Sequence, residues 1–189
     1  LGSGRIGAAE IVRMADQRLR AFIATDDEWF VWTQGAALAR MPNPYPDEQV
    51  ATALSSDGSR LLVVRRNMRV DVMCPRAPDG CSVGPPVQGV LAALHELSSG
   101  AVVWNYTIET ATPGGEYPTP ALSDDGRYAL IGLPPLAEDI RAWVALISNI
   151  EGREVQRFPS GEHIGFARGS RELWTHAQGL TDVYALREN

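Results

Sequence analysis

A short pattern occurs twice in this chain and constrains its fold more than any other feature: an apolar segment, a Ser/Asp-Gly turn, and a second apolar segment. Residues 53–64 read ALSSDGSRLLVV, and residues 121–131 read ALSDDGRYALI. The Asp-Gly pair supplies the positive φ that a tight hairpin requires. Each copy is therefore predicted to be a β-hairpin. Residues 163–176 are predicted to be a degenerate third copy, with the turn at Gly169-Ser170.

A second hairpin is predicted after each of these. Residues 91–104 (LAALHELSSGAVVW) and 144–158 (VALISNIEGREVQRF) both read as strand, Gly-containing turn and strand, and residues 183–186 begin a further copy. The repeating unit is thus four antiparallel strands. Such a meander cannot bury both of its faces alone, so successive copies are expected to stack on one another.

These residues resemble the repeats of β-propellers. The run at 91–104 is similar to the repeat of quinoprotein-like propellers, and the turns at 55–58 and 123–126 resemble those of WD-like and TolB-like propellers. The resemblance covers residues 50–189 and implies an all-β array of about four antiparallel four-stranded blades in one domain, 1–189. Units starting near residues 19, 50, 119 and 163 fit either a small closed ring or part of a larger propeller. In a closed ring, an N-terminal strand would complete the last blade.

The N-terminal segment is ambiguous. A helical period is followed by six apolar residues, so residues 7–20 are compatible with a short amphipathic helix. The six are Ala8, Ile11, Val12, Ala15, Leu19 and Phe22. Residues 5–12 are equally compatible with a strand. Residues 87–97 also fit a helix, but the hairpin that follows them favours a strand.

Composition excludes several classes of protein. The 189 residues carry a net charge of −6, all 17 basic residues are Arg, and hydrophobic residues make up 44%. This balance predicts a soluble globular protein and argues against one built mainly to bind nucleic acid. No apolar run approaches the ~20 residues that a membrane span needs.

Cys74 and Cys81 lie in the segment CPRAPDGC. Their spacing is compatible with a disulfide that closes a small loop, and two free thiols remain the alternative. It does not suit zinc, because no second Cys or His pair follows at ligand spacing. A disulfide would favour an extracytoplasmic or periplasmic location, and the sequence gives no other indication of compartment.

No catalytic, cofactor-binding or metal-binding residue is predicted. The chain has no nucleophile elbow, no phosphate-binding loop and no calcium-loop spacing. Asp57 and Asp125 precede glycines and are interpreted as turn formers. The loops at 42–47, 75–87, 113–120 and 133–140 are better candidates for binding than any single residue.

The aromatic residues are interpreted as core. In a strand, Trp29 and Val31 share one face and Phe30 and Trp32 the other, so both faces are expected to be buried between blades. Trp104, Trp143 and Trp174 are expected to pack in successive units. The alternative is an exposed aromatic anchor for a protein partner.

The sequence therefore predicts a non-catalytic scaffold or protein-interaction module without a cofactor. Its expected partner is another protein or the remainder of a parent chain, since the chain begins with Leu1 and not with Met. Two alternatives follow from the resemblance: a regulatory propeller attached to a hydrolase or protease, and a quinoprotein-like oxidoreductase that binds pyrroloquinoline quinone with calcium.

Overall fold

In the computed structural model, the described residues are 6–46, 48, 50–69, 72–73, 82–83, 87–110, 119–133, 142–160, 163–167, 170–177 and 179–186. They form antiparallel β-sheets and contain no helix. No segment of the described chain is therefore a helix that could cross a membrane. The all-β prediction is confirmed.

The first sheet is a four-stranded meander in the order β1-β2-β3-β4. Its strands are β1 (Ile6–Arg13), β2 (Leu19–Thr25), β3 (Glu28–Thr33) and β4 (Ala39–Pro42). The helix considered for residues 7–20 is wrong, because this segment is the hairpin β1–β2. Ala8 and Val12, which fit a helical period, also fit an alternation of two and lie on the buried face of β1, whereas Ile11 lies on the opposite face and is 71% exposed.

The second sheet has the order β5-β6-β9-β10 and contains an insertion between its two middle strands. The inserted β7 and β8 pair with each other as a separate ribbon. The strands are β5 (Val50–Leu54), β6 (Arg60–Arg69), β7 (Val72–Met73), β8 (Ser82–Val83), β9 (Val87–Glu96) and β10 (Val102–Thr110). Residues 87–97, for which a helix was also considered, lie largely in strand β9, as the hairpin pattern indicated.

The third and fourth sheets repeat this arrangement, with orders β11-β12-β13-β14 and β15-β16-β17. Their strands are β11 (Ala121–Leu122), β12 (Tyr128–Leu133), β13 (Trp143–Ser148), β14 (Arg153–Pro159), β15 (His163–Phe166), β16 (Glu172–Ala177) and β17 (Leu180–Ala185).

The sheets stack side by side as blades of a propeller-like array. The first strands of consecutive sheets are neighbours: β1 lies against β5, β5 against β11, and β11 against β15. The four sheets do not close into a ring. The expectation that an N-terminal strand completes the last blade is wrong, because β1 pairs with β2 and serves as the first strand of the first sheet.

Alternation along the strands builds the core. In β6, Leu61 and Val63 pack toward the first sheet, whereas Leu62 and Val64 pack toward the third. In β12, Leu130 packs toward the fourth sheet. Both faces of these middle sheets are covered, which explains why their strands read as continuous apolar runs and not as an alternation of apolar and polar residues.

Turn glycines allow adjacent sheets to approach each other. Gly152, in the turn between β13 and β14, has a φ of +64°, and a Cβ there would lie 2.6 Å from Cβ of Trp104 in the neighbouring sheet. Gly126 has a φ of +69°, but a Cβ at that position would meet nothing within 4 Å. The two glycines share a backbone conformation and differ in packing.

This pair predicts a difference in stability. Gly126→Ala should lower the free energy of unfolding by about 1 kcal/mol, because alanine is strained at positive φ. Gly152→Ala should lower it by about 2–4 kcal/mol, because the methyl group also collides with Trp104. Urea titrations followed by tryptophan fluorescence measure both losses. Equal losses would show that Trp104 does not restrict this turn.

A buried aromatic cluster joins the first two sheets. His95 is only 1% exposed, and its Nε2 lies 2.7 Å from the Tyr45 hydroxyl. Its Nδ1 lies 3.2 Å from the carbonyl oxygen of Gly100, so Nδ1 donates and Nε2 accepts. The Trp29 ring packs edge-on against the imidazole at 5.0 Å. The Arg65 guanidinium lies over Tyr45, at 4.4 Å from the ring centre.

Burial lowers the pKa of His95; the hydrogen bond to Gly100 opposes this shift, and the Arg65 charge adds to it. The folded protein thus resists protonation at a pH where the unfolded chain, with the ordinary value of 6.5, accepts a proton. The stability contributed by neutral His95 is therefore present above pH 6.5 and is lost as the pH falls from there toward the folded pKa.

We therefore expect the free energy of unfolding to fall on acidification below pH 6.5, with a His95 component of at most about 1.4 kcal/mol per pH unit. His95→Gln keeps polar atoms in the site and removes the titration. Comparing urea titrations of both proteins at several pH values cancels common groups, including Glu48, which pairs with Arg65, and Glu10, whose pKa is raised by burial. Parallel pH profiles would contradict this assignment.

Candidate binding site at the converging turns

Four equivalent turns connect the first and second strands of the four sheets. In each, the amide of the fourth residue donates to the carbonyl oxygen of the first, and the fourth residue has a positive φ. The donors and acceptors are Gln17 and Met14 (2.9 Å), Gly58 and Ser55 (2.8 Å), Gly126 and Ser123 (2.9 Å), and Ser170 and Ala167 (3.1 Å). Their φ values are +67°, +68°, +69° and +58°. The fold thus places a positive φ and the same hydrogen bond at equivalent positions of four different sequences.

Hydrogen bonds stiffen the second turn. The Ser55 hydroxyl donates to Oδ1 of Asp57 over 2.6 Å, and the Ser59 amide donates to the same oxygen over 2.9 Å. The Arg60 amide donates to Ser55 Oγ. Partial burial acts to raise the pKa of Asp57, but the hydrogen bonds from Ser55 and Ser59 outweigh it and the pKa lies below its ordinary value. The interpretation of Asp57 as a turn former is confirmed.

The third turn repeats these contacts. The Ser123 hydroxyl donates to Asp125 Oδ1 over 2.7 Å, the Arg127 amide donates to the same carboxylate, and the Tyr128 amide donates to Ser123 Oγ. Asp125 is therefore also a turn former, as the sequence predicted.

The first turn uses Asp16 in the same way. Its carboxylate accepts from the Arg18 amide over 3.0 Å and from Arg18 Nε over 2.6 Å. Both hydrogen bonds lower the pKa of Asp16, the backbone one most. Sequence reasoning missed this turn because Gln17 stands where the second and third turns have Gly58 and Gly126, and the first unit was therefore expected to start near residue 19. The signal that could have found it is Asp16 itself, which holds the third position of its turn, as Asp57 and Asp125 do in the second and third turns.

The turns converge at one end of the array and contact each other. The Ser56 hydroxyl donates to the carbonyl oxygen of Asp124 over 2.7 Å, which links the second turn to the third. The Asp125 amide lies 3.3 Å from Ser170 Oγ, which links the third turn to the fourth. This end of the molecule is therefore a connected set of turns held on a β-scaffold.

A cavity of about 620 Å³ lies between the first three turns. It is lined by Arg13, Met14, Ala15, Asp16, Ser56, Asp57 and Asp124. The lining thus includes three aspartates and one arginine. The pKa values of Asp16 and Asp57 are lowered, so both are ionised at neutral pH. Such a cavity can accept a cationic group through charge-assisted hydrogen bonds. Among the described residues, no three His, Cys, Asp or Glu side chains are grouped so that they could hold a metal ion.

The other loops singled out in the sequence have different outcomes. Cys74 and Cys81 lie outside the described residues, as do most of the loops at 75–87, 113–120 and 133–140. The loop at 42–47 is tied to the body of the protein. Asn43 Nδ2 donates to the Thr25 carbonyl oxygen over 2.7 Å, and the buried Tyr45 belongs to the aromatic cluster with His95.

The tryptophans are mostly core residues. Trp29 and Trp104 are buried between sheets, and Trp143 packs partly buried against the same core as Trp104. The expectation that both faces of β3 are buried is wrong at Trp32, whose surface is 40% exposed. Phe30, on the same face, is covered by the guanidinium of Arg40.

Comparisons with known proteins find likeness in structure only. No protein-family model matches the chain, and no curated sequence does. The chain is similar to the Dos1 propeller, with 12% identity and a TM-score of 0.46, covering 96% of this chain and 56% of that one. It is similar to the β-propeller domain of the Trilobed protease from Pyrococcus furiosus, with 8% identity and a TM-score of 0.46, covering 95% and 57%. It is also similar to hydrazine synthase from Kuenenia stuttgartiensis, with 12% identity and a TM-score of 0.40, covering 93% and 70%.

The chain thus spans little more than half the length of the first two structures. The likeness extends over nearly all of this chain.

The shared turn geometry predicts the effect of Gln17→Gly. Gln17 holds a φ of +67°, which costs a non-glycine residue about 1–2 kcal/mol. The substitution should therefore raise the free energy of unfolding by about 0.5–1 kcal/mol, after the entropy of the unfolded glycine is subtracted. Gln156→Gly, in the exposed part of β14, should instead lower it by about 0.5–1 kcal/mol. Urea titration measures both, and a loss of stability in Gln17→Gly would contradict the assigned turn.

Proposed function

We propose that this chain is a non-catalytic protein-binding module, and that the cavity at the converging turns receives a basic segment of a protein partner. The observation that supports this most directly is the composition of the cavity wall, which contains three aspartates and a single arginine. Aspartates at 16 and 57 have pKa values below the ordinary range, so they remain charged at neutral pH.

The scaffold supports the same proposal. Each of the turns that form the cavity is hydrogen-bonded internally, and the second and third are joined to each other through Ser56 and Asp124. A preorganised surface loses little conformational entropy on binding, which favours recognition. The volume of about 620 Å³ falls within the range of ordinary ligand sites and exceeds the size of one Lys or Arg side chain. Met14 and Ala15 add an apolar wall against which the methylene groups of such a side chain can pack.

The charges of the wall set the expected strength of binding to a basic segment. Asp16 forms an ion pair with Arg18, which partly neutralises its charge. Asp57 already accepts hydrogen bonds from the hydroxyl groups of Ser55 and Ser59. Asp124 is exposed and contributes its carbonyl oxygen, not its carboxylate, to the contact with Ser56. Asp124 is therefore the carboxylate whose removal tests the cavity with least effect on the turns.

The test is binding of fluorescent hexalysine, measured by anisotropy at low salt, with hexaglutamate as the control peptide. Asp124→Arg should raise the dissociation constant for hexalysine about tenfold, because one favourable exposed charge becomes an unfavourable one. Added salt should weaken the wild-type interaction, since the charges lie near solvent. Urea titration checks that the turns remain folded.

Asp182→Arg is the matched control, because Asp182 is an exposed aspartate in β17, away from the cavity wall. It changes the net charge by the same amount and should leave the dissociation constant within about twofold. Equal losses in the two variants would show that net charge, and not the cavity, binds the peptide. Absence of binding by the wild type would refute the proposal.

A further inference from the structure

The cavity between the turns is shared by different sheets. Its wall includes Arg13 and Asp16, at the end of β1 and in the turn after it, and Ser56 and Asp57, in the turn of the second sheet. No single sheet forms this wall. The cavity therefore keeps its shape only while the first and second sheets remain packed against each other.

His95 lies in the contact between these two sheets. It is paired across the strands with Leu61, and the amide of Leu97 donates to the carbonyl oxygen of Ser59, next to the second turn. From the first sheet, Trp29 of β3 packs edge-on against the imidazole. A change at His95 thus acts on the contact that holds two parts of the cavity wall together.

The hydrogen bonds of His95 suit only its neutral form. Nε2 accepts from the Tyr45 hydroxyl, and Nδ1 donates to the carbonyl oxygen of Gly100. A proton added at Nε2 turns this acceptor into a donor, so the Tyr45 hydroxyl must give up its donation. The imidazolium would also be buried near like charges, because Arg65 lies over Tyr45 and Arg20 of β2 packs against the second turn. Separating the sheets lets water solvate the imidazolium and relieves both costs.

The other ionisable groups at this contact respond differently. Glu48 pairs with Arg65. Glu10 accepts from the Thr52 hydroxyl across the two sheets, and burial raises its pKa, so acid favours the packed state at Glu10 and opposes the effect of His95. Burial also raises the pKa of Tyr45, which stays neutral. Substituting the histidine leaves all of these groups in place, so the comparison isolates its contribution.

We propose that protonation of His95 loosens the contact between the first and second sheets and thereby opens the cavity, so that acid releases the basic segment. This regulation rests on the proposed function. The pKa values of Asp16 and Asp57 lie below their ordinary value of 3.8, so mild acid does not discharge these two groups of the wall. The packed sheets hold the segment and the separated sheets hold the proton, and each ligand therefore weakens the binding of the other.

The test is the reaction of a buried thiol with dithiodipyridine, which reaches the thiol when the sheets separate. Ala24→Cys places the thiol between the first and second sheets, and Ala129→Cys is the matched control between the second and third. The two alanines are 2% and 0% exposed. Cys74→Ser and Cys81→Ser remove the other thiols. An unstructured thiol peptide corrects each rate for pH, and circular dichroism checks folding.

The thiol at position 24 should react faster than the thiol at position 129, because separating two sheets is a smaller event than complete unfolding. From about pH 7.5 to about pH 5.5 its corrected rate should rise about threefold to tenfold, since His95 in the separated state titrates at its ordinary value of 6.5. His95→Gln should remove this rise. Arg65→Gln takes its place if that variant does not fold, and should reduce the rise because a like charge is lost. Equal rates at the two positions, or a rise unchanged in the variants, would overturn the proposal.

Hexalysine tests the link between the contact and the cavity. At about ten times its dissociation constant it should slow the reaction at position 24 about tenfold, because it binds only the packed state. Hexaglutamate should not slow it. Hexalysine that binds without slowing the reaction would overturn the link. Absence of hexalysine binding would refute the proposed function and this regulation with it, whereas the response of the thiol to pH would still show whether acid separates the sheets.

Discussion

Packing of one sheet against the next is the interaction on which the rest of this structure depends. Side chains alternate across each strand, so Leu61 and Leu62 enter different cores and neither core belongs to one sheet. Fully burying a leucine side chain contributes about 1.5–3 kcal/mol. A single sheet therefore gains only part of its stabilisation from its own strands, and the remainder requires a neighbour on each side.

The turns follow from this stacking. Because each sheet must present its first strand next to that of its neighbour, the connections to the second strands are brought to the same end of the array. There the carboxylates of Asp57 and Asp125 satisfy backbone amides, and Ser56 bonds to the adjacent turn. The cavity between the turns is thus a by-product of how the sheets assemble, and two of the three aspartates in its wall, Asp16 and Asp57, also accept hydrogen bonds within the turns.

Much of the fold was predictable from the sequence, because the signals are local. The Ser-x-Asp-Gly turns at 55–58 and 123–126 and the hairpins that follow them have strong turn chemistry and clear alternation. The first hairpin was not distinguished from a helix, because Gln17 replaces Gly at a position of positive φ and the spacing of Ala8 and Val12 fits both periods. The candidate site was not predictable, because Arg13, Asp57 and Asp124 are far apart in sequence and only stacking brings their turns together. Whether the sheets close into a ring also depends on the angle between neighbours, which no local pattern encodes.

The insertion in the second sheet has a consequence of its own. Strands β6 and β9 stay in register as far as the pair Arg69 and Val87 before the chain leaves the sheet. The two ends of the excursion are therefore fixed about 5 Å apart by the ladder itself. Loop-closure entropy grows only with the logarithm of loop length, so this segment can be lengthened, shortened or exchanged at little thermodynamic cost. New surface can therefore be acquired at this position by evolution, or grafted there by design, without changing how the sheets pack against one another.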